Sequence, residues 1–215
     1  MQIRSGWLSK VILPVMVSVV VSMCRTDAAD IETNAPACNA GKGTASRFST
    51  GVMEFDISAG AGYGAVILGS TQHHHLALGT ASLGWMISDP VATNHWYRGN
   101  WEILVDLLGG IQWHPGRAYF VGGGPEFRYN FVTGTRWVPF FSAGAGLTAT
   151  DIRDGDLSTT FEFNLHTGPG VHYFLNDNMA ITAQFWLLHL SNAGMEYPNL
   201  GVNSLTCVLG ATWFF

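Results

Sequence analysis

The feature that most constrains the fold is a period-two alternation of side chains that runs from Gly51 to the C-terminus. Turn residues such as Asp89-Pro90, Thr133-Gly134 and Asn176-Asp177-Asn178 interrupt it every 15 to 25 residues or so. Such a pattern predicts an all-β fold of eight strands. They are Val52–Leu68, Leu76–Ser88, Gly99–Trp113, Arg117–Phe131, Arg136–Thr150, Ser158–Phe174, Met179–Ser191 and Val202–Phe215.

The two faces of these strands indicate where the sheet lies. In the fourth strand Tyr119, Val121 and Phe127 alternate with Glu126 and Arg128. A soluble sheet would carry many charges on its outward face, yet only 12% of this chain is charged, about half of what soluble domains contain. Continuous apolar faces beside small and polar ones predict an eight-stranded antiparallel transmembrane β-barrel of the outer membrane. The aromatic C-terminus is typical of such barrels, whereas the second strand departs from the pattern because both its faces are apolar or small.

The N-terminus reads as an export signal. Arg4 and Lys10 precede a charge-free run from Val11 to Met23, which is too short to cross a bilayer as a helix. The predicted organisation is a signal peptide over residues 1–29, a flexible polar segment over 30–50 and the barrel over 51–215. Lipoprotein processing at Cys24 is the alternative interpretation of the signal.

Charge limits the partners. The formal net charge is −5, and no basic patch follows from the sequence, so nucleic acid is not expected as a partner. An eight-stranded barrel is too narrow for a large pore, so its inward charged residues are expected to form a packed polar network. His73-His74-His75 is expected in a polar outer loop rather than in a metal site, because adjacent side chains alternate in direction. The sequence leaves a homodimer open.

The seventh strand carries an exception to its own pattern. Ile181 to Leu187 place apolar residues at the odd, lipid-facing positions, and the same parity continues into His189 and Ser191 near the outer surface. Residues two apart on a strand share a face, about 6.6 Å from each other. A serine beside a histidine base is the minimal activated nucleophile, and Asn203, across the hairpin, lies where a third group would orient the imidazole.

The same hairpin carries a family motif. His189-Leu190-Ser191-Asn192-Ala193-Gly194 followed by Pro198-Asn199-Leu200-Gly201 resembles the active-site hairpin of the lipid A 3-O-deacylases (PagL-type), which are grouped with acyloxyacyl hydrolase-like proteins. The broader resemblance covers the barrel from about residue 50 to the C-terminus. It implies a serine esterase that removes the ester-linked 3-hydroxyacyl chain at position 3 of lipid A, in the outer membrane and without a metal or organic cofactor.

The resemblance also implies roles for individual residues. Ser191 corresponds to the nucleophile, His189 to the general base, and Asn192, Ala193 and Gly194 to the oxyanion-stabilising turn. The family's best-known members have Glu where this chain has Asn203, and other members carry Asn. Glu196 is an alternative third member. The other readings are a non-catalytic barrel, such as an adhesin or envelope-structural protein, and an esterase for another lipid ester.

Overall fold

The computed structural model describes residues 46–215. The predicted signal peptide and residues 30–45 of the predicted flexible segment lie outside them. The described part of the chain holds eight strands: β1 Met53–Gly64, β2 His75–Met86, β3 Gly99–His114, β4 Ala118–Phe131, β5 Trp137–Thr150, β6 Phe161–Phe174, β7 Met179–Ser191 and β8 Val202–Phe214. Within residues 46–215, no helix is long and apolar enough to cross a membrane.

The strands form one closed antiparallel barrel. Each strand pairs with the next, and β8 returns to pair with β1, from Glu54 opposite Phe214 to Gly64 opposite Ser204. Closure leaves no free sheet edge, which is what a sheet surrounded by lipid requires because lipid offers no hydrogen-bond partners. The predicted all-β eight-stranded barrel is therefore confirmed.

The alternation sets the two surfaces of the barrel wall. Residues of one parity are exposed and mostly apolar, including Phe55, Ile57, Trp101, Val105, Leu107, Ile111, Tyr119, Val121, Phe127, Phe141, Leu147, Phe163, Leu165, Leu209 and Trp213. Residues of the other parity are buried in the lumen, including Glu54, Asp56, Glu102, Asp106, Glu126, Arg128, Glu162, His166 and His172. The inverted, lipid-facing arrangement expected from the sequence is thus present in β1 to β8.

The lumen is filled in three layers. We call the end that carries the connections 65–74, 115–117, 151–160 and 192–201 the loop end. Beneath it lies an apolar cluster that includes Leu76, Leu78, Phe120, Trp186 and Leu188. The inward leucines of β2 belong to this cluster, which explains why both faces of the second strand looked apolar in sequence. A second apolar cluster, around Phe48 and Phe214, closes the opposite end.

Between these clusters lies the ionic network of the lumen. Arg128 lies at its centre, with Nη1 2.5 Å from Glu54 Oε1 and Nη2 3.1 Å from Glu126 Oε1. His166 Nε2 lies 2.9 Å from Glu126 Oε2 and 3.4 Å from Asp106 Oδ2. These contacts form the packed polar network that was expected for a narrow barrel, but they do not satisfy it fully. Arg128 Nε, His166 Nδ1 and both carboxylate oxygens of Asp106 are buried without a hydrogen-bond partner within residues 46–215.

Two boundaries differ from the sequence expectation. β1 ends at Gly64 rather than Leu68, because residues 65–67 leave the β1–β2 ladder and the Ala65 N–H donates to the carbonyl of Asn203. β6 begins at Phe161 rather than Ser158. In addition, Phe48 falls in the predicted flexible segment but is fully buried against Phe174 and Phe214, so packed structure begins before the predicted boundary at residue 51.

Candidate active site

The β7–β8 hairpin brings three polar side chains together on the outer wall at the loop end. Its register places His189 opposite Asn203, and Ser191 follows His189 on the same face. His189 Nε2 lies 2.9 Å from Ser191 Oγ, and His189 Nδ1 lies 2.7 Å from Asn203 Oδ1. The three residues singled out in sequence thus form one chain of hydrogen bonds, with Asn203 buried and the other two half-buried.

The Asn203 amide fixes the protonation pattern of this chain. Its Nδ2 donates to the backbone carbonyl of Ile67, 2.7 Å away, and a carbonyl oxygen only accepts. Oδ1 must therefore accept a hydrogen from His189 Nδ1. In the neutral imidazole this leaves the lone pair on Nε2 to accept the hydroxyl proton of Ser191, which is the tautomer that a general base needs.

Gly201 supports the imidazole from the other side. Its φ of +82° lies in the left-handed region that glycine favours. A Cβ at this position would lie only 2.8 Å from His189 Cε1. Glycine is therefore required at position 201 for two reasons: its backbone conformation, and the space that the ring of His189 occupies.

The turn after Ser191 is held by Asn192, whose side chain is buried. Its amide Nδ2 donates to the carbonyl of Glu196, and its Oδ1 accepts from the Gly194 N–H at 3.0 Å. The Asn192 N–H in turn donates to Asn199 Oδ1 at 2.9 Å. The expected oxyanion donors Asn192 and Gly194 are thus already engaged in shaping the turn.

Of the three expected oxyanion donors, this arrangement leaves the backbone amide of Ala193. It has no hydrogen-bond partner within residues 46–215, and Ala193 is an exposed residue with a φ of +56°. A non-glycine residue held in the left-handed region is uncommon and is often found at functional sites. Asn199, which sequence reasoning assigned to a turn only, proves to anchor that turn.

Glu196 does not take the place of the third member. It lies exposed in the 192–201 connection, and its backbone carbonyl accepts from Asn192 Nδ2 at 2.9 Å. Both ring nitrogens of His189 are already engaged by Ser191 and Asn203. In this structure Asn203, and not Glu196, holds the imidazole.

The side chains of the histidine triplet alternate in direction as expected, but the triplet is not simply a polar outer loop, because His75 is the first residue of β2. His74 points inward and is fully buried, while His73 Nδ1 and His75 Nδ1 bind the carbonyl and N–H of Gly64 at the end of β1. Within residues 46–215, the one group with metal-ligand geometry is Asp106, Glu126 and His166. It belongs to the lumenal ionic network rather than to the site on the outer wall.

Fold and site together define a class: a transmembrane β-barrel that carries a serine–histidine–asparagine arrangement of the hydrolase type on its lipid-facing wall. A model of the family described as lipid A 3-O-deacylase (PagL) matches residues 81–212, which is more than half of the chain. The chain therefore belongs to this family of outer-membrane proteins.

Individual relatives agree with this assignment. The lipid A deacylase PagL of Pseudomonas aeruginosa is 29% identical over 123 residues, which cover 51% of this chain and 68% of the relative. The crystal structure of the outer membrane enzyme PagL matches with a TM-score of 0.56 and 22% identity over 72% of this chain and 97% of that one. Neisserial surface protein A matches with a TM-score of 0.53 and 18% identity over 77% and 96%. At these identities the two structures show a shared barrel fold.

Proposed function

We propose that this barrel is an outer-membrane serine esterase that removes the ester-linked 3-hydroxyacyl chain at position 3 of lipid A. The observation that carries the proposal is the hydrogen-bonded chain from Ser191 through His189 to Asn203, placed on a wall that is otherwise apolar. Family membership supports the substrate, because the matching family is described as lipid A 3-O-deacylase.

The position of the site on the wall suits a lipid ester. Below His189 and Asn203, toward the membrane centre, the hairpin pairs Leu187 with Leu205 and Phe185 with Cys207. An acyl chain lying along this apolar strip would bring its ester bond to the level of Ser191. With the loop end at the outer surface, that level is where the sugar head of lipopolysaccharide meets its acyl chains.

The reaction follows from the hydrogen bonds. Ser191 Oγ attacks the ester carbonyl while His189 Nε2 takes its proton, and Asn203 holds the imidazolium through Nδ1–H. The Ala193 N–H is the proposed donor to the oxyanion of the tetrahedral intermediate. Collapse of that intermediate breaks the ester C–O bond, and His189 returns the proton to the departing sugar oxygen. Water, deprotonated by His189, then releases the fatty acid from Ser191.

Cleavage of lipid A by the wild-type barrel and by a variant without Ser191 is the direct test of the reaction. Expression in a Gram-negative host with intact lipid A is expected to lower the lipid A mass by one 3-hydroxyacyl chain. Ser191→Ala is expected to leave the mass unchanged, because no nucleophile remains. Mass spectrometry of extracted lipid A measures both. An unchanged mass with the wild-type barrel would favour the non-catalytic alternative, and loss of a secondary acyl chain or of a phospholipid acyl chain would favour the other esterase.

A second prediction concerns the amide at the base of the triad. Asn203→Leu removes both hydrogen bonds of that side chain, so His189 loses its tautomer control, and kcat is expected to fall by about 10²- to 10⁴-fold. Asn203→Asp is also expected to be slower than wild type, because its second oxygen would face the carbonyl of Ile67 where an N–H now donates. Deacylation kinetics in detergent micelles measure both.

Ser204→Ala is the matched control for these variants. Ser204 is the next residue of β8, and its side chain is buried in the lumen on the other side of the wall. Its substitution is expected to leave kcat within about twofold of wild type. Equal kcat for Asn203→Leu and wild type would contradict the assignment of Asn203 as the orienting residue.

A further inference from the structure

A buried carboxylate in the 151–160 connection forms several hydrogen bonds with the neighbouring 65–74 connection. Asp156 is fully buried, and its Oδ2 accepts hydrogen bonds from Ser70 Oγ at 3.0 Å, from the Thr71 N–H at 2.9 Å and from the Gln72 N–H at 3.1 Å. Thr71 Oγ1 also donates to its Oδ1. Hydrogen bonds to an ionised acceptor are the stronger kind, so this carboxylate fixes the place of residues 70–72.

His74 supplies the charge that balances Asp156. Its Nε2 lies 2.9 Å from Asp156 Oδ2 and its Nδ1 lies 2.8 Å from Gln112 Oε1. The amide Nε2 of Gln112 donates to Asp154 and to the Gly116 carbonyl, so Oε1 faces the ring as an acceptor. Both ring nitrogens therefore donate, which requires an imidazolium.

The electrostatics agree with this geometry. Burial would lower the pKa of His74, but its hydrogen bonds to Asp154, Asp156 and Gln112 outweigh that effect and raise the pKa to about 9. The pKa of Asp156 is lowered, because hydrogen bonds from Thr71, His74 and Ser70 outweigh the effect of its burial. The pair is thus ionised at neutral pH and paired within the loops.

A short path of hydrogen bonds joins Asp156 to the reacting groups. Ser70 Oγ lies 3.0 Å both from Asp156 Oδ2 and from the carbonyl of Gln72, so its one hydrogen is shared between these two acceptors. The Ser70 N–H donates to the carbonyl of Ile67 at 3.1 Å. That same carbonyl accepts from Asn203 Nδ2. Ser70 and Ile67 belong to the connection between β1 and β2. Hydrogen bonds through these two residues therefore link Asp156, in the connection between β5 and β6, to Asn203 in β8.

The main chain of Asp156 provides a second contact with the site. Its carbonyl accepts from the N–H groups of Leu200 and Gly201, at 2.8 and 3.2 Å. Gly201 is the residue that packs against the ring of His189. Asp156 thus lies between the two segments that hold Asn203 and His189, although it is distant from both in sequence.

We propose that Asp156 is a positioning residue of the esterase, whose side chain orients Asn203 through Ser70 and the Ile67 carbonyl. This inference rests on the proposed function. Loss of the side chain frees the Ile67 carbonyl to move, so the Asn203 amide no longer holds His189 in the reactive tautomer. A misplacement of about 1 Å in a catalytic group costs about 10²-fold in rate, and it affects kcat rather than substrate binding.

The test compares Asp156→Ala with Asp156→Asn and uses two readouts. One is kcat and KM for lipid A in detergent micelles, and the other is the rate at which a fluorophosphonate probe labels Ser191. Asp156→Ala is expected to lower kcat and the labelling rate about 10²-fold with little change in KM. Asp156→Asn keeps an oxygen acceptor for residues 70–72 and is expected to lose less than about tenfold.

Asp151→Asn is the matched control. Asp151 lies in the same connection, but its Oδ1 accepts from the Tyr119 N–H, on a side that does not lead to the triad. It is expected to label at the wild-type rate. Wild-type labelling by Asp156→Ala would overturn the inference. If that variant does not fold, Ser70→Ala decides, because it cuts the path at Ser70. A wild-type labelling rate in Ser70→Ala would overturn the inference equally.

A double-mutant cycle separates positioning from general stabilisation of the loops. In an Asn203→Leu background the labelling rate is expected to fall less than about threefold further on Asp156→Ala, because the path has already been cut. A full 10²-fold further loss would overturn the inference. Labelling of the wild type without lipid A cleavage would contradict the proposed substrate alone. Absence of labelling in the wild type would overturn both proposals.

Discussion

Replacing His189 with alanine is expected to slow deacylation by a factor on the order of 10⁴ to 10⁶, the loss seen when a serine hydrolase loses its general base. The imidazole Nε2 lies 2.9 Å from Ser191 Oγ and is the group placed to take the hydroxyl proton. Without it the serine hydroxyl, with its high intrinsic pKa, remains protonated at neutral pH. Single-turnover release of the 3-hydroxy fatty acid measures the rate.

The double variant with Ser191→Ala provides the control for this prediction. Because the two residues act as one unit, removing both is expected to cost about as much as removing either. If the rate loss of the double variant equalled the product of the two single losses, the two side chains would act independently, which would contradict the triad. His95→Ala, in the connection between β2 and β3 at the end opposite the loop end, is expected to leave the rate unchanged.

Replacing Arg128 with methionine is expected to lower the free energy of unfolding by about 3 to 5 kcal/mol. The guanidinium is buried among Glu54, Glu102 and Glu126, and methionine keeps much of the volume while removing the charge. The three carboxylates would then remain in the lumen without their central cation. Equilibrium unfolding by urea, in detergent or lipid, measures the difference.

Arg117→Met is the matched control for Arg128→Met. Arg117 is exposed in the connection between β3 and β4, so the same chemical change there is expected to shift the free energy of unfolding by less than about 0.5 kcal/mol. Equal stability of the two variants would contradict the central role of Arg128 in the lumen.

Much of the fold could be predicted from the sequence because a membrane barrel has few degrees of freedom. The period of two determines which face of the sheet each side chain occupies. Because most residues of one face are apolar, that face must be the one in contact with lipid. The bounds of β7 follow directly from the pattern. The end of β1 could not be predicted, since residues 65–67 are as apolar as a strand. The Ala65 N–H and the Ile67 carbonyl instead bind the main chain and the side chain of Asn203.

The residues of the candidate site also fall into those that could be predicted from the sequence and those that could not. His189, Ser191 and Asn203 could be predicted together because one hairpin carries all three and parity places them on one face. The supporting residues could not, since Ile67 acts through its backbone carbonyl, which no side-chain pattern reveals. Asp156 looked like part of a turn signal, and only the closed barrel brings it to residues 70–72.

The site's place on the wall, rather than in a cavity, changes how an enzyme of this kind meets its substrate. Lipid molecules reach Ser191 by lateral diffusion within one leaflet, so encounter is two-dimensional and the mole fraction of substrate in that leaflet takes the place of a bulk concentration. The cleaved lipid leaves along the same plane and competes with fresh substrate until neighbouring lipids dilute it. Turnover is thus tied to the fluidity and crowding of the membrane in which the barrel sits.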